Sequence, residues 1–185
     1  MLHLRVPEGE APVFMVNGEK IAPAVKEGFV RVEREWKGGD VLSMKMEMKP
    51  RVVEGALGTV SVMRGPLVFS LPIRERWTKI RDRGLTADWE IFGDSPWNYG
   101  LARAAEISVK EQPIGVIPFA KATPAVTLAI EGVRLSQWRG SDGTADAPPQ
   151  DAKGTSGEKT GLELVPYAST KLRITSFPRG SVAQS

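Results

Sequence analysis

Residues 30–48, VRVEREWKGGDVLSMKMEM, decide the fold class of this chain. In the second half of the segment every other residue is apolar, which places one face of an extended strand against a core: Leu42, Met44, Met46 and Met48. The first half has the same period, with one apolar face formed by Val30, Val32 and Trp36. Between the halves, Lys37-Gly38-Gly39-Asp40 is typical of a tight turn. The segment predicts an antiparallel β-hairpin.

Short alternating runs of the same kind continue along the chain, at 59–63, 67–71, 105–109, 126–130, 162–164 and 172–174. The 14 Pro and 19 Gly residues fall mostly between these runs, where turns need them. An apolar stripe of helical spacing never extends over three turns without a Pro or Gly interrupting it. This pattern predicts an all-β fold, an antiparallel β-sandwich of jelly-roll-like type with almost no helix.

A chain of 185 residues is long enough for one sizeable core or two small ones. We expect a single β-sandwich region over 1–185, with a subdivision near residue 50 as the alternative. In that alternative 1–50 holds the first strand cluster and 51–185 the main sandwich. Residues 140–160 contain no apolar residue larger than Ala, which predicts one long mobile loop.

The charge pattern argues against several classes of partner. The chain has 25 basic and 22 acidic side chains, and its densest basic group, 74–83, is interrupted by acids. That group favours a solvated loop or strand edge over a nucleic-acid surface. No apolar run is long enough to cross a membrane, so neither nucleic acid nor membrane is expected as a partner.

The residues needed for several common chemistries are missing from the sequence. Without cysteine and with His3 as the single histidine, neither a thiolate zinc site nor a Ser-His-Asp triad is expected, and no metal or cofactor is predicted. The N-terminus has no signal-peptide pattern. It alternates like a strand, which suggests a start partway through a larger protein. If Met1 is the native start, the protein is expected in the cytoplasm; otherwise its location stays open.

The most unusual segment is 88–100, DWEIFGDSPWNYG, which combines aromatic rings with carboxylates. Sugars stack on flat aromatic rings while amides and carboxylates bind their hydroxyls. The segment therefore predicts a substrate-binding platform with these members: Trp97, Asn98, Tyr99, Trp89 and Asp94. The other interpretation is that the same aromatic rings pack in the core or against another domain.

The carboxylates of this segment, Asp88, Glu90 and Asp94, are candidates for the pair that a glycosidase uses. Their spacing does not place two of them face to face, so no catalytic residue is assigned. Arg64 belongs to the turn Arg64-Gly65-Pro66, with a functional role as the weaker alternative.

Several short pieces occur in one order along the chain: 4–7 (LRVP), 16–19 (VNGE), 34–41 (REWKGGDV) and 63–69 (MRGPLVF). They are followed by 88–90 (DWE), 95–101 (SPWNYGL), 164–167 (LVPY) and 172–178 (LRITSFP). This ordered set resembles the C-terminal β domains of the bacterial β-L-arabinofuranosidase-type glycoside hydrolases. The resemblance extends over nearly the whole chain.

The resemblance implies a helical catalytic barrel N-terminal to such domains, with a glutamate and zinc-bound cysteines in its active site. None of these residues can be transferred, because this chain lacks the barrel and has no cysteine. The implied function is a non-catalytic accessory β domain whose partner is the barrel, or a second copy through the same surface. The alternatives are a free-standing carbohydrate-binding module that binds an oligosaccharide and, further off, a small carboxylate-dependent glycosidase.

Overall fold

The computed structural model describes residues 1–102, 106–141, 143–149, 152–153 and 159–181. The chain divides into two compact units, one of Met1–Pro50 with Arg64–Pro66 and one of Arg51–Met63 with Leu67–Ser185. The expectation of a single sandwich region, with a subdivision near residue 50 as its alternative, stays a prediction.

The first unit consists of six short strands: β1 (Leu2–Arg5), β2 (Val13–Val16), β3 (Glu19–Ile21), β4 (Val25–Lys26), β5 (Phe29–Val32) and β6 (Leu42–Lys45). They form two three-stranded antiparallel sheets with strand orders β1-β5-β4 and β3-β2-β6. The buried side chains between these strands are Val6, Phe14, Val30 and Val32, with Trp36, Leu42 and Met44 packed against them. Part of the predicted apolar face, Leu42 and Met44, therefore belongs to this core, whereas Met48 is 37% exposed.

The strongest hairpin expected from the sequence is wrong in its pairing. Strand β5 pairs with β1 and β4, whereas β6 pairs with β2. Lys37–Asp40 does turn, since the Asp40 N–H donates to the Lys37 carbonyl at 3.1 Å, but the chain then passes to the other sheet. Alternation places apolar residues on one face of a strand and does not specify which neighbour a strand pairs with.

A polar network joins the two turns of the first unit. The Asn17 side chain donates to Asp40 Oδ1 at 2.8 Å and accepts from the Val41 N–H at 2.8 Å. Asn17 and Gly18 both have positive φ, 51° and 86°, as a two-residue hairpin turn between β2 and β3 requires. The hydrogen bond from Asn17, followed by that from the Lys37 N–H, lowers the pKa of Asp40. Two sequence motifs that are distant along the chain thus form one contact.

The second unit contains the remaining strands: β7 (Pro50–Glu54), β8 (Thr59–Arg64), β9 (Leu67–Pro72), β10 (Glu75–Asp82), β11 (Ala87–Gly93), β12 (Tyr99–Ala102), β13 (Ser108–Glu111), β14 (Val126–Arg134), β15 (Gly140–Ser141), β16 (Thr144–Ala145), β17 (Ala152–Lys153), β18 (Lys159–Pro166), β19 (Arg173–Ile174) and β20 (Phe177–Ser181). Short 3₁₀ turns lie at Ala56–Gly58 and Tyr167–Ser169. Arg64, the last residue of β8, belongs to the first unit, where its Nε donates to the Met48 carbonyl at 2.8 Å.

The main sheet of the second unit closes on itself. Its order is β17-β20-β12-β14-β18-β9-β8-β7, and β20 pairs a second time, with β8. The closing pairs are Phe177 with Val60 and Pro178 with Thr59. Strand β20 runs parallel to β12 and β17, whereas the other pairings of known direction in this sheet are antiparallel. Closure leaves few unpaired strand edges around the core.

The core of this unit is filled from every strand of the closed path. Its buried members are Val60, Val62, Phe69, Leu71, Tyr99, Leu101, Val126, Leu128, Ile130, Leu162, Leu164 and Phe177. A smaller cluster beside it joins Leu135 and Trp138. Trp138 packs in this cluster, with 4% of its surface exposed.

The all-β, antiparallel fold class is confirmed: several antiparallel sheets are present, and no helix of seven or more residues occurs in the described ranges. In particular, none of the described helices is long and apolar enough to span a bilayer. The predicted loop at 140–160 falls partly outside the described residues, since 142, 150–151 and 154–158 are not described. Its described part includes the small hairpin of β15 and β16.

Gly132 tests how tightly the closed sheet is packed. A Cβ at this position in β14 would lie 2.4 Å from Leu162 Cδ1 and 3.3 Å from the Gly100 carbonyl oxygen. Leu162 is 5% exposed and has little room to move. We therefore expect Gly132→Ala to lower the free energy of unfolding by about 1–3 kcal/mol, measured by urea unfolding.

Gly161→Ala is the matched control, because Gly161 lies on the neighbouring strand and its added Cβ would meet nothing within 4 Å. It should leave stability nearly unchanged or raise it slightly. Equal losses for the two variants would contradict tight packing at Gly132.

Candidate functional site

The hairpin of β10 and β11 is the most exposed ordered feature of the second unit. It forms a two-stranded sheet of its own, with Glu75 opposite Gly93 at its base and Asp82 opposite Ala87 near its tip. The register shifts at a bulge between Lys79 and Arg81. An isolated two-stranded hairpin is marginally stable in water, so its base must be held by the rest of the unit.

Glu75 holds that base. Its carboxylate is 2% exposed and pairs with Lys121 Nζ at 2.9 Å. The other carboxylate oxygen accepts from the backbone N–H groups of Lys171 at 3.2 Å and Leu172 at 3.4 Å. The indole N–H of Trp77 also donates to Glu75, at 3.0 Å. One buried carboxylate therefore links the hairpin to two separate loops.

These contacts decide the ionisation of Glu75. Burial alone would raise its pKa, but the hydrogen bonds from Lys121, Trp77 and the backbone N–H groups of Leu172 and Lys171 outweigh that effect. Together they lower the pKa to about 2, so the carboxylate is charged at every physiological pH.

The other face of the hairpin borders an open groove of about 590 Å³. Because side chains alternate along a strand, Arg76 points to the face opposite Glu75. The groove is lined by Arg76 and Phe92 of the hairpin, Trp97, Thr144 and Arg173, among others. None of its described lining residues is acidic.

Both guanidinium groups of the groove lie on aromatic rings. The Arg76 guanidinium carbon is 4.8 Å from the centroid of the Phe92 ring, and that of Arg173 is 3.6 Å from the Tyr167 ring. Arg173 Nη1 also donates to the Thr170 carbonyl at 2.7 Å and the Lys171 carbonyl at 2.8 Å. Arg173 is therefore held in a defined orientation.

The predicted platform residues Trp97, Asn98 and Tyr99 have different surroundings. Trp97 lines the groove and packs edge-on against Trp138 at a centroid distance of 5.0 Å. The Asn98 side chain donates to the carbonyls of Leu135 and Trp138 at 2.9 and 3.1 Å. Tyr99 is 9% exposed and belongs to the core. Sugar contact by these residues stays a prediction, and Trp97 is the member with access to a groove.

Trp89 and Asp94 do not complete a platform with them. Trp89 lies on β11, 47% exposed, and packs edge-on against Trp77 at 6.0 Å. Asp94 pairs with Arg74 at 3.3 Å, and its N–H donates to the Arg74 carbonyl at 2.7 Å. Trp77 and Trp89 belong to the same hairpin, and Arg74 and Asp94 flank its base.

The candidate catalytic carboxylates Asp88 and Glu90 both lie on the hairpin. Asp88 pairs with Arg83 at 2.7 Å, and Glu90 lies opposite Thr78 on the hairpin. Where a carboxyl pKa is shifted in the described chain, at Asp40, Glu75 and Asp82, it is lowered, whereas a general acid needs a raised one. The described residues contain no group of three or more side chains suited to holding a metal ion.

Sequence reasoning missed Glu75, Arg76 and Arg173 as site residues. The segment around the first two was interpreted as a solvated loop or strand edge, because a hairpin exposed on both faces shows no apolar alternation. A Trp two residues after an acid, as in Glu75 and Trp77, was the one local signal for their hydrogen bond. Nothing in the sequence predicts that Arg173 lines the same groove as Arg76, since 97 positions separate them (173 − 76).

Comparison with known proteins finds similarities to one family of glycoside hydrolases. Residues 1–48 match the family model described as beta-L-arabinofuranosidase, GH127 middle domain. No curated protein matches the chain. Among solved structures, a GH127 β-L-arabinofuranosidase from Geobacillus stearothermophilus T6 is similar with a TM-score of 0.60 and 18% identity. The match covers 96% of this chain and 26% of that one.

Two further solved structures are also similar to this chain. A GH127 β-arabinofuranosidase has a TM-score of 0.58 and 19% identity, covering 96% of this chain and 25% of its own. A structure described as a glycoside hydrolase has a TM-score of 0.60 and 20% identity, covering 97% and 27%. The chain spans about a quarter of the length of these proteins. At such identities the similarity establishes the fold.

The fold of this chain is therefore similar to a β-rich part of multidomain glycoside hydrolases, and residues 1–48 match a family model of one of their domains. The GH127 proteins of these matches are of the kind that the ordered sequence pieces resemble, and the chain is similar to part of their full length. The description of the matched segment is a middle domain, where the resemblance had suggested a C-terminal region.

Glu75→Gln tests the link at the base of the hairpin. Since the folded-state pKa is about 2 against an ordinary 4.5, the charged form stabilises the fold by about 3 kcal/mol above pH 4.5. This contribution is lost as the pH falls from 4.5 through about 2. We expect the variant to be less stable at pH 7, with the difference from the parent shrinking towards pH 2 in urea unfolding.

The matched control is Glu131→Gln, whose exposed carboxylate pairs with Lys159 at 3.2 Å. Exposed pairs of this type contribute about 0–1 kcal/mol. If both variants lost stability equally, or if the difference for Glu75→Gln did not depend on pH, Glu75 would not be the link described here.

Proposed function

We propose that this chain is a non-catalytic accessory β region of a GH127 glycoside hydrolase, which packs against the helical catalytic barrel of that enzyme. The family match and the coverage of about a quarter of the similar chains support this proposal. They imply that a complete enzyme needs further domains. The observation that carries the proposal is an exposed apolar loop on the second unit.

That loop connects β13 to β14. Its base is closed where the Gln112 N–H donates to the Ala125 carbonyl at 3.0 Å and the Gln112 side chain donates to the Pro124 carbonyl at 2.6 Å. Its tip, PIGVIPF at 113–119, contains no polar side chain. The exposed fractions there are 72% for Ile114, 103% for Val116 and 67% for Ile117.

An apolar tip held on a closed base is typical of a surface that contacts another domain. A partner that covers such side chains gains about 25 cal/mol of free energy for each Å² of apolar surface removed from water. Contiguous exposed apolar patches mark interaction surfaces in soluble proteins. The occupant we propose is the catalytic barrel, because the similar chains are about four times as long as this one.

The remaining surface supports a role without catalysis. The candidate carboxylates Asp88 and Asp94 are neutralised by Arg83 and Arg74 at 2.7 and 3.3 Å. An arginine partner favours the charged form of a carboxyl group and so opposes its use as the general acid of glycoside hydrolysis. The proposal therefore assigns the reaction to the barrel and the support of its fold to this chain.

Removing the apolar tip should change the association state. In the isolated chain the patch has no barrel to cover it, so we expect self-association that increases with concentration in sedimentation velocity. Changing Ile114, Val116 and Ile117 together to Ser should shift the protein to monomer, because it removes the apolar surface that drives contact.

The control changes Ile80 and Leu85, which are 60% and 105% exposed on the hairpin, to Ser. It should leave the association state as it is. A parent chain that stays monomeric across the micromolar range, or a control that dissociates as fully as the triple variant, would argue against the loop as the docking surface.

The purified chain should not hydrolyse chromogenic arabinofuranosides or other aryl glycosides. This expectation follows from the proposed accessory role and from the ion pairs of Asp88 and Asp94, and release of the chromophore measures it directly. Turnover that disappears when Asp88, Glu90 and Asp94 are changed to Asn, Gln and Asn would overturn the non-catalytic assignment.

A further inference from the structure

We infer that the groove between the hairpin and the loop before β19 binds a carboxylate-bearing sugar residue of an oligosaccharide. The residues of this site belong to the second unit, and the proposed accessory role does not use them. The site does not include the apolar tip at 113–119. Its defining members are Arg76, Phe92, Trp97 and Arg173.

The charge of the groove carries the first step. Arg76 and Arg173 line it, and no acidic side chain is found among its described lining residues. Neither arginine has an ion pair with a carboxylate of the described chain. By contrast, Arg74 and Arg83 of the same hairpin are both paired with aspartates. Two cations that share one groove without an acidic neighbour favour an anionic ligand there.

The orientation of Arg173 carries the second step. Two carbonyls and the Tyr167 ring hold one edge and one face of its guanidinium. The remaining N–H groups stay available for an acceptor. A guanidinium fork fixed in advance loses little side-chain entropy on binding and matches the two oxygens of a carboxylate. Fixed orientation favours a planar carboxylate over a diffuse attraction to anions.

The aromatic groups of the groove carry the third step. Trp97 and the 40% exposed Phe92 border the same space as the two arginines. Sugar rings present apolar C–H faces to such side chains and hydroxyls to neighbours such as Thr144. An open groove with both elements favours an acidic saccharide, whose ring can stack on the aromatic side chains while its carboxylate meets an arginine.

Calorimetric titration of the full chain with trigalacturonate and with neutral galactotriose, at equal ionic strength, tests the inference. Trigalacturonate should bind and galactotriose should bind at least about tenfold more weakly, since the neutral sugar lacks the carboxylates that meet the two guanidiniums. Acetate and a tri-glutamate peptide serve as probes for a bare carboxylate and for an acidic peptide.

Arg76→Gln should weaken trigalacturonate binding about tenfold or more. Phe92→Leu should weaken it by about threefold to tenfold through loss of the ring contact. The matched control is Arg81→Gln, which removes the same charge from the same strand without touching the groove. This variant should change the affinity by less than about twofold, because it alters the groove through long-range charge alone.

Arg173→Gln removes two structural hydrogen bonds as well as the charge, so Arg76→Gln decides the outcome if Arg173→Gln unfolds. Equal binding of the neutral sugar, equal binding of tri-glutamate, equal losses for Arg76→Gln and Arg81→Gln, or no heat with trigalacturonate would each overturn the inference. None of these outcomes bears on the docking loop, whose test is the association state.

Discussion

The double pairing of β20 is the contact on which the second unit depends. This strand pairs with β12 on one side and with β8 on the other, and so closes the sheet around the core. Phe177 of β20 and Phe69 of β9 are both fully buried inside. Opening this seam would expose apolar side chains from every strand of the closed path at once. The hairpin, the groove and the docking loop are all carried by this closed sheet.

Glu75 attaches the exposed hairpin to the rest of the second unit. Its buried carboxylate is bonded to Lys121 and to the backbone at Lys171 and Leu172. The same strand places Arg76 on the opposite face, into the groove. The carboxylate that stabilises the hairpin therefore also sets the position of one guanidinium relative to Arg173. Stability and the proposed recognition share one strand because alternate residues serve the two faces.

Much of the fold could be predicted because burial follows local alternation. The runs at 59–63, 67–71 and 126–130 lie within β8, β9 and β14. The hairpin at β10 and β11 was not predicted, since its strands face solvent on both sides and carry no alternating signal. The pairing of β5 with β6 was predicted wrongly, because a Gly-Gly turn permits a change of sheet as readily as a hairpin. Residue 105 of a further predicted run lies outside the described residues.

The sequence by itself determined the all-β class, the apolar positions of the core and the ordered pieces that resemble the glycoside hydrolase family. These properties depend on residues near one another along the chain, where period and turn chemistry act. Tertiary structure alone decided that Tyr99 is buried, that Trp97 reaches a groove and that Arg76 and Arg173 line the same groove. Such contacts join residues far apart in sequence, and only closure of the sheet brings them within the few ångströms over which rings, charges and hydrogen bonds interact.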